Sequence, residues 1–253
     1  MTSAIILKSA SELSIMEEAN QIVAQTLCML KEHIVPGVTT LHLDQLAEKF
    51  ARKKNAIPAF KGYRGFPGSL CVSVNEQVVH GIPSRKVVLK EGDILSIDFG
   101  VKYKGYYGDA AVTVPVGNIG NQAEDLLKIT QESLYAAIEQ VKVGNRISDI
   151  SQAVQNYVEE RGYSVVRQFV GHGIGQQLHE PPEIPNYRRT GRSPKILAGM
   201  VLAIEPMVNA GAHEVKILGD GWTVVTIDKS LSAHFEHSVA VTENGPMILS
   251  HGL

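Results

Sequence analysis

The sequence predicts an α+β fold built from paired helices and an antiparallel sheet. Amphipathic helical segments occur in two pairs along the chain, and the strand segments are joined by short turns instead of the long crossovers that parallel strands require. The composition, 44% hydrophobic and 20% charged over 253 residues, is typical of a globular domain with a large core. We therefore expect one domain spanning residues 1–253.

The first helix pair lies near the start of the chain. Apolar side chains recur every three or four positions from Ser11 to Ile34, which predicts an amphipathic helix. A second helix should begin at Thr39 or Thr40, because a hydroxyl at the N-cap can accept the free N–H groups of the first turn. It ends in Arg52–Lys54, whose cations suit a helix carboxyl terminus.

A second helix pair follows the middle of the chain. Asn121 and Glu124 have the spacing of a capping box, which predicts the start of one helix. The next helix should start near Ser148 and stop at Gly162, a good residue for a left-handed helix end.

The two helix pairs indicate a faint internal duplication. A shift of 107 positions superposes Gly37 on Gly144 and Phe50 on Tyr157. This predicts two duplicated halves, at about residues 11–115 and 121–245, related by pseudo-symmetry. Chance resemblance between two helix hairpins is the alternative.

Apolar runs between the helices predict the strands. We expect one hairpin from residues 70–74, which turns at Asn75-Glu76 and returns over residues 78–80. A second hairpin should join residues 94–101 to 106–114 around Lys104-Gly105. Further strands are predicted over residues 201–205, 222–227 and 235–241.

The hairpin around Lys104 predicts a pair of facing carboxylates. With the turn at Lys104, Asp98 lies directly opposite Asp109, on a face whose other side chains are small or polar. Two such charges repel by about 4 kcal/mol at 4 Å and an effective dielectric of 20. A cation between the two carboxylates is therefore expected.

Three later residues extend this acidic cluster. Glu205 ends one strand and Glu236 opens another, and both have small same-face neighbours, while His172 lies in a glycine-rich run. Four carboxylates and an imidazole suit Mn, Fe, Co or Zn, and four negative charges balance two divalent ions. For any one acid, a solvated turn residue is the alternative.

Charge and cysteine content exclude several classes of partner and compartment. The net charge is −2 with no long run of one sign, so neither a nucleic acid nor a membrane surface is an expected partner. Two cysteines and no secretory leader predict a cytoplasmic protein without a disulfide framework. The phosphate-loop, zinc-protease helix and serine-elbow motifs are also missing from the sequence.

Five short motifs follow one another along the chain: Ile97-Asp98-Phe99-Gly100, Gly108-Asp109, Gly171-His172-Gly173-Ile174-Gly175, Ala203-Ile204-Glu205-Pro206-Met207 and Phe235-Glu236-His237. Their order resembles that of the type I methionine aminopeptidases in their short bacterial form, which implies the pita-bread fold of metallopeptidases. The likeness extends from about Ile5 to Leu249, and the 31 positions from Glu205 to Glu236 leave no room for the long insertion of the type II branch.

The resemblance implies an activity and a role for each motif residue. The chain would remove the initiator methionine from nascent proteins when the next residue is small, through attack of a metal-bridging hydroxide on the scissile carbonyl. Glu205 would also shuttle a proton, and His80 and His179 would contact the substrate and steady the tetrahedral intermediate. The implied ligands of two divalent ions (Co, Mn, Fe or Zn) are Asp98, Asp109, His172, Glu205 and Glu236, with Asp109 and Glu236 bridging.

The same resemblance implies an apolar pocket for the methionine side chain. Its predicted lining is Tyr63, Phe66, Cys71 and Trp222. The chain departs from the common family pattern in four places, which bear on fine substrate preference. The departing residues are Phe60 and Leu178, assigned to the same pocket, together with Arg64 and His234.

The expected partner is the amino terminus of a nascent protein, and the ribosome is a candidate partner of a chain expected to be monomeric. Two other functions stay open at this point. One is a proline-specific aminopeptidase or creatinase-like amidinohydrolase on the same fold, which carries an additional amino-terminal domain. The other is a binding protein that keeps the fold and has lost its metals.

Overall fold

The computed structural model describes residues 4–253 and has four helices among them, arranged as two pairs. None of these helices is long and apolar enough to cross a membrane. A short 3₁₀ turn covers Tyr63–Gly65. The helices are α1 Ala10–Lys31, α2 Thr40–Lys53, α3 Asn121–Ile138 and α4 Ile147–Glu159.

The strands form one large sheet and two small ones, and every pair is antiparallel, as expected. The strands are β1 Ile57–Pro58, β2 Cys71–Val74, β3 Ile94–Tyr103, β4 Tyr106–Pro115, β5 Ser164–Val165, β6 Val170–Gly173, β7 Glu180–Pro185, β8 Val201–Ile204, β9 Met207–Asn209, β10 Val215–Ile217, β11 Val224–Thr226, β12 Ser232–His234, β13 Glu236–Thr242 and β14 Gly245–Ile248. The large sheet has nine of these strands in the order β1-β3-β4-β13-β8-β6-β7, with β2 on β3 and β14 on β13.

The main core lies between the helices and one face of the sheet. That face carries the apolar side chains predicted for the central hairpin, such as Leu95, Ile97 and Phe99, which are fully buried. Leu27 of α1 and Leu134 of α3 belong to the same buried cluster. The opposite face of the hairpin, which carries the aspartates, is thereby left to form a site.

The register of the central hairpin corrects the predicted one. Asp98 pairs with Ala111, and Asp109 pairs with Gly100. The turn consists of Lys104 and Gly105, both with positive φ, and this two-residue geometry matches the natural twist of the strands. The prediction of directly opposed aspartates was therefore wrong, but the offset of two residues keeps both on one face as diagonal neighbours.

Two further local predictions were wrong. The N-cap of α3 is Gly120, which has no capping side chain, so Asn121 and Glu124 do not form a capping box. Residues 78–80 form no strand with β2, because Val78 donates its N–H to the Val224 carbonyl, and the chain rejoins β2 at Gly81, whose carbonyl accepts from Val72. The first helix was predicted closely, over Ser11 to Ile34 against the observed Ala10–Lys31, and Ser9 caps it through a capping box with Glu12.

Candidate metal centre and substrate cavity

The acidic face of the sheet brings the predicted ligands into two adjacent rows. In one row Asp98 pairs with Ala111, Ala111 pairs with Glu236, and the β13–β8 register continues to Glu205. The next row runs across Gly100, Asp109, Ser238, Ala203 and His172. Small residues between the ligands leave a hollow above the sheet.

Three ligand groups lie close enough to share one ion. One ligand atom each from Asp109, His172 and Glu236 lies within 4.8 Å of the others, and all three residues are buried. Glu205 Oε1 lies 3.6 Å from His172 Nε2. The imidazole is oriented by a hydrogen bond from Nδ1 to the carbonyl of Gly173, 2.9 Å away, which leaves Nε2 to face the carboxylates.

The carboxylate oxygens of this centre fit a bound cation. Asp98 Oδ1, Asp109 Oδ1 and Glu236 Oε1 are buried and have no hydrogen-bond partner among residues 4–253. Buried polar atoms are normally satisfied, and Asp109 and Glu236 each place one carboxylate oxygen within 4.8 Å of a ring nitrogen of His172. Oxygen and imidazole donors of this kind suit divalent metal ions.

The pKa values of the side chains in the centre also fit a bound cation. Burial raises the pKa of Asp98 and Glu236 well above the ordinary value, and neighbouring carboxylates raise it further. Burial and the charge of Asp109 likewise raise the pKa of Glu205. Burial lowers the pKa of His172 to about 4, so the imidazole is neutral and can bind a metal at neutral pH. The site is acidic and lacks a compensating protein cation within the described chain.

We expect the affinity for a divalent cation to weaken as the pH is lowered below about 7. Burial raises the pKa of Asp109 to about 7, so at lower pH this carboxyl carries a proton that the cation must displace. Each displaced proton weakens binding about tenfold per pH unit, and protons on Asp98, Glu205 and Glu236, whose pKa values are also raised, add to the effect. Titration calorimetry at pH 6, in buffers of different ionisation heats, measures the protons released when the cation binds. If no proton is released at pH 6, Asp109 is not a ligand of the cation.

The cavity above the centre contains every predicted site residue. Its volume is about 680 Å³ including the open mouth. The lining residues are Phe60, Tyr63, Arg64, Phe66, Cys71, His80, Asp98, Asp109, His172, Leu178, His179, Glu205, Trp222 and Glu236. The five predicted ligands therefore form one wall of a cavity whose other walls are largely aromatic and aliphatic.

The two predicted substrate histidines lie on loops at the rim of the centre. His179 precedes β7, with its ring 4.2 Å from that of His172 and its Nδ1 2.9 Å from the Tyr63 hydroxyl. His80 has a left-handed backbone and packs edge-on against Phe169 and Trp222. Burial lowers the pKa of His179 to about 3 and that of His80 to about 4, so both are neutral at pH 7.

The apolar pocket is built from a second buried cluster. Phe66 contacts Trp222 edge-to-face at 5.2 Å, and Cys71, the first residue of β2, pairs with Asp98. Phe60 and Leu178 belong to this cluster and are buried. A side chain at Gly100 would lie 2.9 Å from the Phe60 ring, so this glycine lets Phe60 reach the sheet beside the ligands.

Two cavity neighbours were not assigned a role from sequence. His234 is almost fully buried, and its Nε2 lies 3.6 Å from Glu205 Oε2 without a hydrogen-bond partner in the described chain. Phe169 supports the His80 ring. The position of His234, two residues before Glu236, could have indicated from the sequence that it lies near the site. No local sequence pattern indicates the same for Phe169.

We expect Phe60 and Leu178 to be energetically coupled in substrate binding. Leu178→Phe should overfill the pocket and raise KM, Phe60→Ala should loosen it, and the double variant should recover much of both losses because total volume is conserved. A double-mutant cycle on kcat/KM should give an interaction of about 0.5 to 3 kcal/mol. Additive effects would show that the two departures from the family pattern are unrelated.

Comparison with known proteins identifies the class. The model of metallopeptidase family M24 matches residues 14–243. The chain is 57% identical to methionine aminopeptidase 1 of Bacillus subtilis over 246 residues, covering 97% of this chain and 99% of the relative. The chain therefore belongs to metallopeptidase family M24.

The particular branch follows from the solved structures. A methionine aminopeptidase from Thermotoga maritima superposes with a TM-score of 0.96 at 46% identity, covering 98% of this chain and 99% of the other. An Xaa-Pro dipeptidase from Bacillus anthracis gives 0.79 at 26% identity, and the match covers 98% of this chain but 62% of the longer one. Within the family the chain belongs to the type I methionine aminopeptidases, and the pita-bread fold expected from its motifs is confirmed.

Proposed function

We propose that this chain removes the amino-terminal methionine from nascent proteins whose second residue is small, using two divalent metal ions. The observation that carries the proposal is the convergence of unpartnered buried carboxylate oxygens with His172 in the wall of an apolar cavity. The ions would be held by Asp98, Asp109, His172, Glu205 and Glu236. When bound, they lower the pKa of water and polarise a carbonyl, which supplies hydrolysis at neutral pH.

The protein side chains would divide the remaining work. Phe66, Cys71 and Trp222 enclose an apolar space that suits an unbranched thioether side chain. Glu205 has a raised pKa and can hold a proton at its carboxyl, so it can pass one to the departing amine. It is also within 3.6 Å of two imidazoles, which limits its freedom to turn away.

The two rim histidines would stabilise charge on the substrate carbonyl. Because His179 Nδ1 is hydrogen-bonded to the Tyr63 hydroxyl, its Nε2 is free to contact the substrate. A neutral imidazole can donate one N–H to a developing oxyanion without adding a full charge to the site. His80 lies across the cavity, where Trp222 and Phe169 restrict its ring.

We expect rapid release of methionine from the peptide Met-Ala-Ser and slow release from Met-Leu-Ser. A bulky second residue must enter the space between the metal wall and the rim histidines, which is already lined by large side chains. The test measures free methionine from the metal-loaded enzyme, with Ala-Ala-Ser as a control for the first position. Equal cleavage of the two methionine peptides, or rapid cleavage of Ala-Ala-Ser, would reject the proposal.

We also propose that the domain consists of two duplicated halves and acts as a monomer in the cytoplasm, where nascent chains leave the ribosome. The positive φ of Gly37 and Gly144 supports the duplication. So do two isolated bridges, Thr39 with Val88 and Arg146 with Lys195, which are related by the same shift of 107 positions.

A further inference from the structure

A buried ion pair lies outside the metal centre. Lys8 Nζ donates to Glu180 Oε2 at 2.6 Å, and the side chains are only 4% and 3% exposed. The other Lys or Arg pairs of residues 4–253 are much more exposed, for example Lys104 with Glu18 at 51% and 46%. The pair therefore differs from the surface salt bridges of this protein.

Lys8 is anchored in the segment that precedes α1. Its backbone N–H donates to the Gly199 carbonyl at 2.7 Å, and its Nζ also donates to the Ile6 carbonyl at 3.0 Å. Lys8 thus brings a fixed positive charge from the start of the chain to a position next to β7.

Glu180 connects Lys8 to the turn at the cavity rim. Its Oε1 accepts the backbone N–H of Gln177 at 3.1 Å, which closes the turn that holds Leu178 and His179. The ion pair is also packed against Gly175, where a Cβ would lie 2.5 Å from Lys8 Cε and 2.6 Å from Glu180 Oε1. The turn is therefore held by a hydrogen bond on one side and by close packing on the other.

The energetics argue against stability as the main role of the pair. Desolvation of two buried charges offsets most of their attraction, and apolar replacement of such pairs is often neutral or stabilising. Loss of one partner alone leaves a buried unpaired charge. A buried pair can instead select one conformation of the segment that it joins.

We propose that Lys8 and Glu180 are positioning residues that hold His179 and Leu178 in the cavity. They do so by keeping the Gln177–Glu180 turn in the conformation that sets the His179 ring 4.2 Å from His172. The proposal rests on the function proposed above for His179.

The test uses the double variant Lys8→Met/Glu180→Leu, which removes both charges and leaves neither unpaired. Its matched control is Glu18→Gln, which breaks the exposed pair with Lys104 from the helix side. We expect the double variant to melt near the wild-type temperature while the Gln177 amide exchanges hydrogen faster. Its kcat/KM on Met-Ala-Ser should fall about tenfold to a hundredfold, the scale for small misplacement of a group that contacts substrate. The control should match wild type in all three measurements.

A second pair of measurements links the effect to the histidine. In a His179→Ala background, Lys8→Met/Glu180→Leu should cause little further loss of kcat/KM. Lys8→Met/Glu180→Gln, which keeps an acceptor for Gln177 and leaves no charge unpaired, should retain more activity than Lys8→Met/Glu180→Leu. An equal fold-loss in both backgrounds, or wild-type exchange and kcat/KM in the double variant, would overturn the proposal. If wild type releases no methionine, the proposed function fails, and the exchange at Gln177 alone decides whether the pair holds the turn.

Discussion

Removal of the divalent metal by a chelator is expected to abolish methionine release and to lower the melting temperature at neutral pH. A ligand at about 100 times its Kd stabilises the folded state by about 2.7 kcal/mol, which corresponds to roughly 5–11 °C for a chain of this size. Without metal, Asp98, Asp109, Glu205 and Glu236 repel one another in a buried site.

Calorimetry and a methionine-release assay measure both effects on the same sample. Return of activity and melting temperature when metal is added back is the control for damage by the chelator. An apo protein that melts at the holo temperature would contradict the stability part, and full activity after complete chelation would contradict the metal-dependent reaction itself.

Asp109→Asn is expected to lower kcat/KM by about a thousandfold, because a metal ion contributes several kcal/mol to such reactions and each 1.36 kcal/mol is a factor of ten. Asp109 is 4% exposed, lies within the shared ligand cluster and has an unpartnered Oδ1. The neutral amide keeps the size of the side chain but is a poorer ligand for a divalent ion.

The stability of this variant separates lost chemistry from lost folding. Because the substitution removes a buried carboxyl whose charged form is disfavoured by burial, metal-free Asp109→Asn should melt at or above metal-free wild type. Asp125→Asn on the exposed face of α3 is the matched control and should leave activity and metal binding unchanged. A normally active Asp109→Asn enzyme would remove Asp109 from the proposed centre.

Side-chain alternation along the strands predicted that the two aspartates share one face of the sheet, but it did not predict the register of the two strands. Side chains alternate between the two faces of a strand, so Asp98 and Asp109 stay on one face when the pairing of the two strands shifts by two residues. The actual offset depends on left-handed conformations at both Lys104 and Gly105. Lysine does not favour that conformation, so the sequence located the hairpin around Lys104-Gly105 but did not determine which residues pair across it.

Capping shows the same limit at the start of α3. Asn121 and Glu124 have a capping-box spacing, yet the helix begins one residue earlier, with Gly120 as N-cap. At α1 the hydroxyl of Ser9 and the carboxylate of Glu12 do form the box. A capping motif shows which hydrogen bonds could form at the start of a helix. Tertiary packing then decides at which of several neighbouring residues the helix begins.

The sequence by itself determined the residue types of the site, the face of the sheet on which Asp98 and Asp109 lie, and the family, because these depend on alternation and on motifs within a few residues. Only the tertiary structure decided that β13 lies between β4 and β8, and this order brings Glu236 and Glu205 to the aspartates. It also decided the contact of Lys8 with Glu180, 172 positions away. Such contacts depend on how separate elements bury their apolar faces together, which is a property of the whole chain and not of any short segment.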